Sequence, residues 1–341
     1  SGGGGVLALR DADGDGTPEA SVTFGTGPVN DVELWKGHLY AALPDRIVRW
    51  RLEPGRLRPS AEPEVVVRDL PADGGHVAKS LVIGPDGTMY VNVGSRSNSC
   101  QERDRSAKSP GRDPCTELER RAGIWAFPAD RTGQRFEDGR RFATGLRNAM
   151  ALAIQPGTGL LWAAIHGRDQ LSDNWGFSAQ ENAENPAEEL VQVSRGDDFG
   201  WPYCYYSNTH RRKVLAPEYG GDGERVGRCA KAKDPAVAFP GHWGPMALAF
   251  YADSLLGARY RGGAFLAFHG SWNRAPLPQA GYRVVFVPFR DGRPTGEYET
   301  FATGTEGPTA LRASGVAVGP DGSLYISADQ NGKIWRVTRR R

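Results

Sequence analysis

Short apolar runs separated by polar turns recur along the whole chain, and the turns themselves repeat. Gly84-Pro85-Asp86-Gly87-Thr88-Met89-Tyr90-Val91 is matched by Gly319-Pro320-Asp321-Gly322-Ser323-Leu324-Tyr325-Ile326, with looser copies at Gln155–Trp162 and Lys36–Ala41. A second apolar run precedes each turn: Ser80–Ile83, Ala151–Ile154, Ala247–Tyr251 and Gly315–Val318. Proline presets φ and glycine takes φ > 0, so Pro-Asp-Gly between two such runs predicts a hairpin. Further strands are predicted at Gly123–Phe127, Phe142–Thr144, Tyr282–Val287 and Tyr298–Phe301. A hairpin plus two strands makes a four-stranded unit, and units roughly 50–70 residues apart are the signature of a β-propeller. About six blades fit 341 residues, so the pattern predicts an all-β, six-bladed propeller forming one domain over 1–341. The polar stretches 96–120, 168–187 and 203–235 are too long for turns and predict loops capping one face.

Composition narrows the partners. With 42 basic and 40 acidic residues the net charge is +2, which argues against nucleic acid or an anionic membrane surface. No run of 18 apolar residues exists, so nothing in the sequence predicts a membrane-spanning helix. Four cysteines fall into two local pairs, Cys100 with Cys115 and Cys204 with Cys229. Their spacing does not suit zinc, and two loop-closing disulfides fit better; four free thiols are the alternative. Disulfides would place the protein in an oxidising compartment, periplasmic or secreted. No signal peptide is visible, and Ser1–Gly5 reads as a trimmed mature end or a linker.

Chemistry gathers where predicted strands end. His269-Gly270-Ser271-Trp272-Asn273-Arg274 follows Ala264–Phe268, His166-Gly167-Arg168-Asp169 follows Leu160–Ile165, and Gly94-Ser95-Arg96 follows Met89–Val93. Apolar runs hold the backbone, and the polar residues beyond them converge on a shared site.

These segments resemble the soluble pyrroloquinoline-quinone (PQQ) sugar dehydrogenases, most closely their sorbosone-dehydrogenase-like branch. The resemblance is carried in order by Asp11–Gly16, Gly94–Asn98, Gly145-Leu146-Arg147-Asn148, His166–Leu171, Phe199–Cys204, Pro217–Gly223 and Ala264–Tyr282. It implies a six-bladed propeller with PQQ near the axis, oxidising an aldose or aldehyde sugar by hydride transfer and passing electrons to a cytochrome or a small quinone. It implies His76 as the general base, a role suited to an imidazole. Arg147, Arg274 and Arg312, with Lys79 as a further candidate, would pair with the PQQ carboxylates. Trp243 would stack on the tricyclic ring and Asn148 would hydrogen-bond the quinone. Calcium would be held at Gly167 and Arg168 through backbone carbonyls, with Asp169 contributing.

Some positions depart from the pattern. Gly75 stands where an acidic residue often precedes the histidine, Met150 replaces a polar residue after the Arg-Asn pair, and Arg312 is followed by Ala-Ser-Gly rather than Pro-x-Gly. Gly75 and Met150 favour a rival reading, a redox-inactive propeller that binds a carbohydrate or protein partner. A calcium-dependent lactonase-type hydrolase is a third option that the fold allows. Asp11-Ala12-Asp13-Gly14-Asp15-Gly16 has the first half of a calcium loop, but Val22 stands at the twelfth position where an EF-hand needs glutamate. A plain turn and a metal site fit it equally.

Overall fold

The computed structural model describes residues 4–304, 307, 309–330 and 332–339. The predicted hairpins form, and each opens a blade. The first blade is Asp31–Trp35, His38–Ala42, Ile47–Arg51 and Glu64–Arg68, with Gln134–Arg135 added parallel at its outer edge. The second is Leu81–Ile83, Thr88–Val93, Gly123–Pro128 and Arg140–Thr144. The third is Ala151–Ile154, Leu161–Ile165, Glu188–Val193 and Val237–Phe239. The fourth is Pro245–Phe250, Ala264–Phe268, Arg283–Val287 and Glu299–Thr303. The fifth has three strands, Ala313–Val318, Leu324–Ala328 and Lys333–Val337.

The two Pro-Asp-Gly turns are near copies in three dimensions. Asp86 accepts from the Thr88 amide at 3.0 Å and its hydroxyl at 2.8 Å, and Asp321 accepts from the Ser323 amide at 3.1 Å and its hydroxyl at 2.8 Å. Gly87 and Gly322 take φ of 83° and 80°, which a side chain at either position would resist.

The core lies between blades. Tyr40, Ile47 and Val67 of the first blade pack on Met89, Val91 and Phe127 of the second. Ile124 and Ala143 meet Leu152, Ala163 and Val191 between second and third, and Trp162 and Leu190 meet Phe250, Leu266 and Phe268 between third and fourth. Phe265 and Phe286 meet Ile326 and Leu324 between fourth and fifth.

Among the described residues five blades form, not the six that the repeat spacing predicts. Dividing length by spacing assumes that nearly every residue belongs to a blade. The loops around 96–120, 168–187 and 203–235 absorb that length instead, as 3₁₀ turns, the short helices Leu171–Trp175 and Ala179–Glu184, and the hairpin Cys204–Ser207/Arg212–Leu215. A separate two-stranded ribbon, Val6–Arg10 with Ala20–Phe24, packs Val6, Ala8 and Phe24 on Val48 and Trp50 of the first blade.

Both predicted disulfides, Cys100–Cys115 and Cys204–Cys229, are present, and they imply an oxidising compartment. No helix among the described residues is long and apolar enough to cross a membrane. Replacing Cys204 and Cys229 together by serine is expected to lower stability by roughly 3 kcal/mol in the chain-entropy picture. Urea denaturation of the double variant beside the native protein measures it, and an unchanged midpoint would contradict it.

Candidate active site

Two of the three strand ends named in the sequence, at His166–Asp169 and His269–Trp272, line a cleft of about 660 Å³ on one face of the ring, and the third, Gly94–Arg96, does not reach it but holds His76. Four of the six histidines line it: His76, His166, His242 and His269. A backbone carbonyl fixes each ring. His76 Nδ1 lies 2.9 Å from the Ser95 carbonyl, His166 Nε2 2.6 Å from that of Pro245, His242 Nε2 2.8 Å from that of Asn182, and His269 Nδ1 3.0 Å from that of Gly270. A carbonyl only accepts, so each of these nitrogens carries the proton.

His76 sits on the loop before the second blade. The Gly75 amide donates to the Arg96 carbonyl at 2.7 Å, which pins this loop to the end of the blade's second strand. A Cβ at Gly94 would lie 2.7 Å from His76 Cβ and 2.8 Å from Asn148 Oδ1, so only glycine lets the histidine loop settle there. Burial, reinforced by the Arg147 guanidinium, lowers the His76 pKa to about 3. Burial with Arg147 likewise lowers His166 to about 4, and burial lowers His242. These three imidazoles are therefore neutral at ordinary pH.

Three guanidiniums, Arg105, Arg147 and Arg312, also line the cleft. Arg147 is buried and donates to the Asn98 carbonyl at 3.1 Å, the Gly167 carbonyl at 2.8 Å, Asn98 Oδ1 at 2.9 Å and Asp169 Oδ2 at 3.0 Å. Arg105 reaches the same Asp169 oxygen at 3.0 Å. Arg312 donates to His269 Nε2, and to Asp329 at 3.2 Å. Burial opposes ionisation of Asp169, but Arg147, His242 and Arg105 outweigh it and hold the carboxyl at about 2. Glu188 is the other carboxyl in the cleft. Burial pushes it up to about 8 against the pull of the Gly167 and Gly244 amides. Three guanidiniums outnumber the two carboxyl groups of the lining, so the cleft is net positive even with both carboxyls ionised.

Of the residues singled out in the sequence, His76, Arg147, Gly167, Asp169 and Arg312 line the cleft; Lys79, Asn148, Arg168, Trp243 and Arg274 do not. Lys79 is buried and donates to the Val77 carbonyl. Asn148 accepts from Asn92 at 3.2 Å beneath His76. Arg168 turns inward to Glu218, 2.8 Å away. Trp243 packs edge-on to Phe268 between blades, with the Arg283 guanidinium 4.5 Å from its ring centre. Arg274 donates to the Ala183, Gly241 and Pro278 carbonyls and to Glu184, which ties its loop to the neighbouring cap.

Arg105 and Glu188 have no place among the sequence-based candidates, nor do the other three cleft histidines. His166 and His269 stood in the polar strand-end segments, and His242 is the neighbour of the candidate Trp243. Glu188 had a fainter signal, a Glu-Glu pair opening the apolar strand Leu190-Val191. Arg105 lies in an irregular insertion without periodicity, and nothing in the sequence marks it.

A family model described as TrAA12-like matches residues 30–340. The chain belongs to the TrAA12-like family. It is 26% identical over 242 residues to a PQQ-dependent pyranose dehydrogenase of Coprinopsis cinerea, covering 59% of this chain and 31% of that one. The chain spans less than half the length of the curated relatives it matches. Its fold is similar to a calcium structure of a family AA12 carbohydrate-active enzyme from Trichoderma reesei, at TM-score 0.77 and 20% identity over 96% of this chain and 85% of that one. It is also similar to the holo form of the PQQ domain of the Coprinopsis cinerea pyranose dehydrogenase, at TM-score 0.74 and 20% identity over 97% and 87%. The family and these matches agree with the resemblance to soluble PQQ sugar dehydrogenases, without singling out the sorbosone branch.

Proposed function

We propose that the cleft binds PQQ with a divalent cation and oxidises a sugar, with His76 as the general base. The observation that carries this reading is a cleft holding three guanidiniums and a neutral imidazole with an available Nε2 lone pair. PQQ is a flat tricarboxylate, and a net positive cleft of about 660 Å³ fits its charge and size class. The Gly167 carbonyl and Asp169 offer hard oxygen donors at the same place, the ligand type calcium takes. When bound, the quinone supplies a hydride acceptor and the cation polarises its carbonyl.

The chain's own residues do the rest. Arg105 and Arg312 present guanidiniums to carboxylates. Arg147 spends most of its donors on Asn98, Gly167 and Asp169, so it shapes the wall and adds positive charge. His76 Nδ1–H is held by Ser95, and Nε2 takes the proton of the sugar hydroxyl. An aldose or other pyranose is the substrate class, and a cytochrome or small quinone takes the electrons. Two disulfides and the family suit a periplasmic or secreted setting.

Purified protein given PQQ and calcium is expected to retain quinone absorbance through gel filtration and to reduce a dye with at least one aldose. Retention without reduction by any sugar would favour the rival binder; no retention would overturn the proposal. Arg312→Ala is expected to weaken PQQ binding by roughly 10- to 150-fold, the worth of one charged hydrogen bond at about 1.5–3 kcal/mol. Equilibrium dialysis measures it, and an unchanged Kd would remove Arg312 from the binding set.

A further inference from the structure

Four carboxylates lie at the cleft end of the third blade and its caps: Glu188, Glu189 and Glu218, which are buried, and Asp169, which is partly buried. Three have a cationic side chain against them. Asp169 pairs with Arg147 and Arg105, each at 3.0 Å. Glu189 pairs with Lys213 at 2.6 Å on the opposite face of the strand, and Glu218 pairs with Arg168 at 2.8 Å. Glu188 differs. It is 2% exposed, and its partners are two neutral amides, the Gly167 N–H at 3.1 Å and the Gly244 N–H at 3.3 Å. Among the described residues no lysine or arginine donates to it.

A buried carboxylate without a counter-cation is costly, and proteins pair such groups or place a metal on them. Two amides occupy two of the roughly four acceptor positions of a carboxylate, which leaves lone pairs for a further partner. That partner must come from the cleft, because the protein side of Glu188 is closed by the third and fourth blades.

We propose that Glu188 is the charged ligand of a divalent cation at the cleft floor, next to the Gly167 carbonyl. The inference rests on the reading that the cleft holds PQQ with a cation, and it narrows that reading. Asp169, the carboxylate singled out from the sequence, is already neutralised by two arginines. Glu188 is the one with charge to spare. Its amide bonds to Gly167 and Gly244 make it a preset ligand, fixed between two blades before the ion arrives.

The test is calcium binding by calorimetry, with and without PQQ. It is run in an Asp13→Asn, Asp15→Asn background, because the exposed carboxylates of Asp11, Asp13, Asp15 and Glu19 lie within 4.8 Å of one another and could also take calcium. Glu188→Gln keeps the side chain's shape and is expected to lower calcium affinity by about 10- to 100-fold. Glu188→Asp, which keeps the charge, should lose less. Should Glu188→Gln not fold, manganese added to the same background protein, with Glu188 intact, supplies a second readout. It should broaden the imidazole NMR signals of His76 and His166 and spare His38 and His210. Equal calcium affinity in Glu188→Gln, no calcium binding in the background protein, or no selective broadening would each overturn the inference. Quinone retention is measured separately. Retained PQQ with unchanged calcium affinity sinks this inference alone, and calcium binding without PQQ retention sinks the proposed function alone.

Discussion

Replacing His76 by alanine is expected to lower sugar-dependent dye reduction by about 10²–10⁴-fold, the usual worth of a positioned general base. PQQ retention should stay close to that of the parent, because the guanidiniums proposed to bind its carboxylates are on other loops. The expectation rests on the tautomer. The Ser95 carbonyl at 2.9 Å holds the proton on Nδ1, and Ser95 Oγ, itself donating to the Ser97 carbonyl at 2.6 Å, lies 2.9 Å from the same nitrogen. Nε2 therefore faces the cleft as a lone pair. Burial first, and Arg147 second, lower the pKa to about 3, so protonation that would block the base begins far below neutrality. The sign is clear: a lowered pKa keeps the imidazole neutral, its lone pair free, into acid conditions, while making it a weaker base. In the cofactor-free protein an NMR titration should find this ring neutral well below the ordinary histidine value of about 6.5. A variant with parental turnover would refute the mechanism while leaving the family intact.

Glu218→Ala is expected to destabilise the protein by about 3–5 kcal/mol, the cost of leaving a buried charge without its partner. Arg168 contacts both carboxylate oxygens, at 2.8 and 3.0 Å. Ser99 and Trp175 each donate to Oε1 at 2.9 Å, and the Gly111 amide donates to the Glu218 carbonyl at 3.0 Å. Alanine removes the carboxylate and strands Arg168. Replacing both residues, Glu218→Leu with Arg168→Met, should cost much less than the single change, because an apolar pair of similar volume replaces a buried ion pair at little cost. Urea denaturation of the single and double variants measures both effects. A single-variant loss under about 1 kcal/mol, the scale of a solvated pair, would show that the pair is not buried in solution.

The hairpins were legible in the sequence because their cause is local. In Pro85-Asp86-Gly87 and Pro320-Asp321-Gly322 the proline, the aspartate and the positive-φ glycine lie within three residues, and the strands on either side carry their own apolar runs. Blade number was not legible. It depends on how many residues leave the sheets, and polar insertions have no period to count. The cleft was half legible. Asp169 stands in a polar strand-end segment, and His76, Arg147 and Arg312 came from the family resemblance. Motif position says which loop a residue is on, but not where its side chain turns. Arg274 belongs to the same motif as Ser271 and Trp272, yet its donors go to Ala183, Gly241, Pro278 and Glu184. Trp272 from that motif stands 59% exposed at the cleft wall. Arg105 and Glu188 were hidden for opposite reasons. One is a charged residue in a charged loop; the other is a charged residue in a strand, where only its missing partner reveals it.

Glu218 also sets a limit on how this cleft could be re-engineered. Its carboxylate and carbonyl take donors from Ser99 and Gly111 on one cap and from Arg168 and Trp175 on another, while it belongs to a third. The three insertions are therefore one inheritable unit. Grafting any one of them from a relative would import a loop whose counterparts are missing. New ligand preference in this cleft should come from exchanging all three together, or from point changes on the cleft side that leave their shared junction untouched.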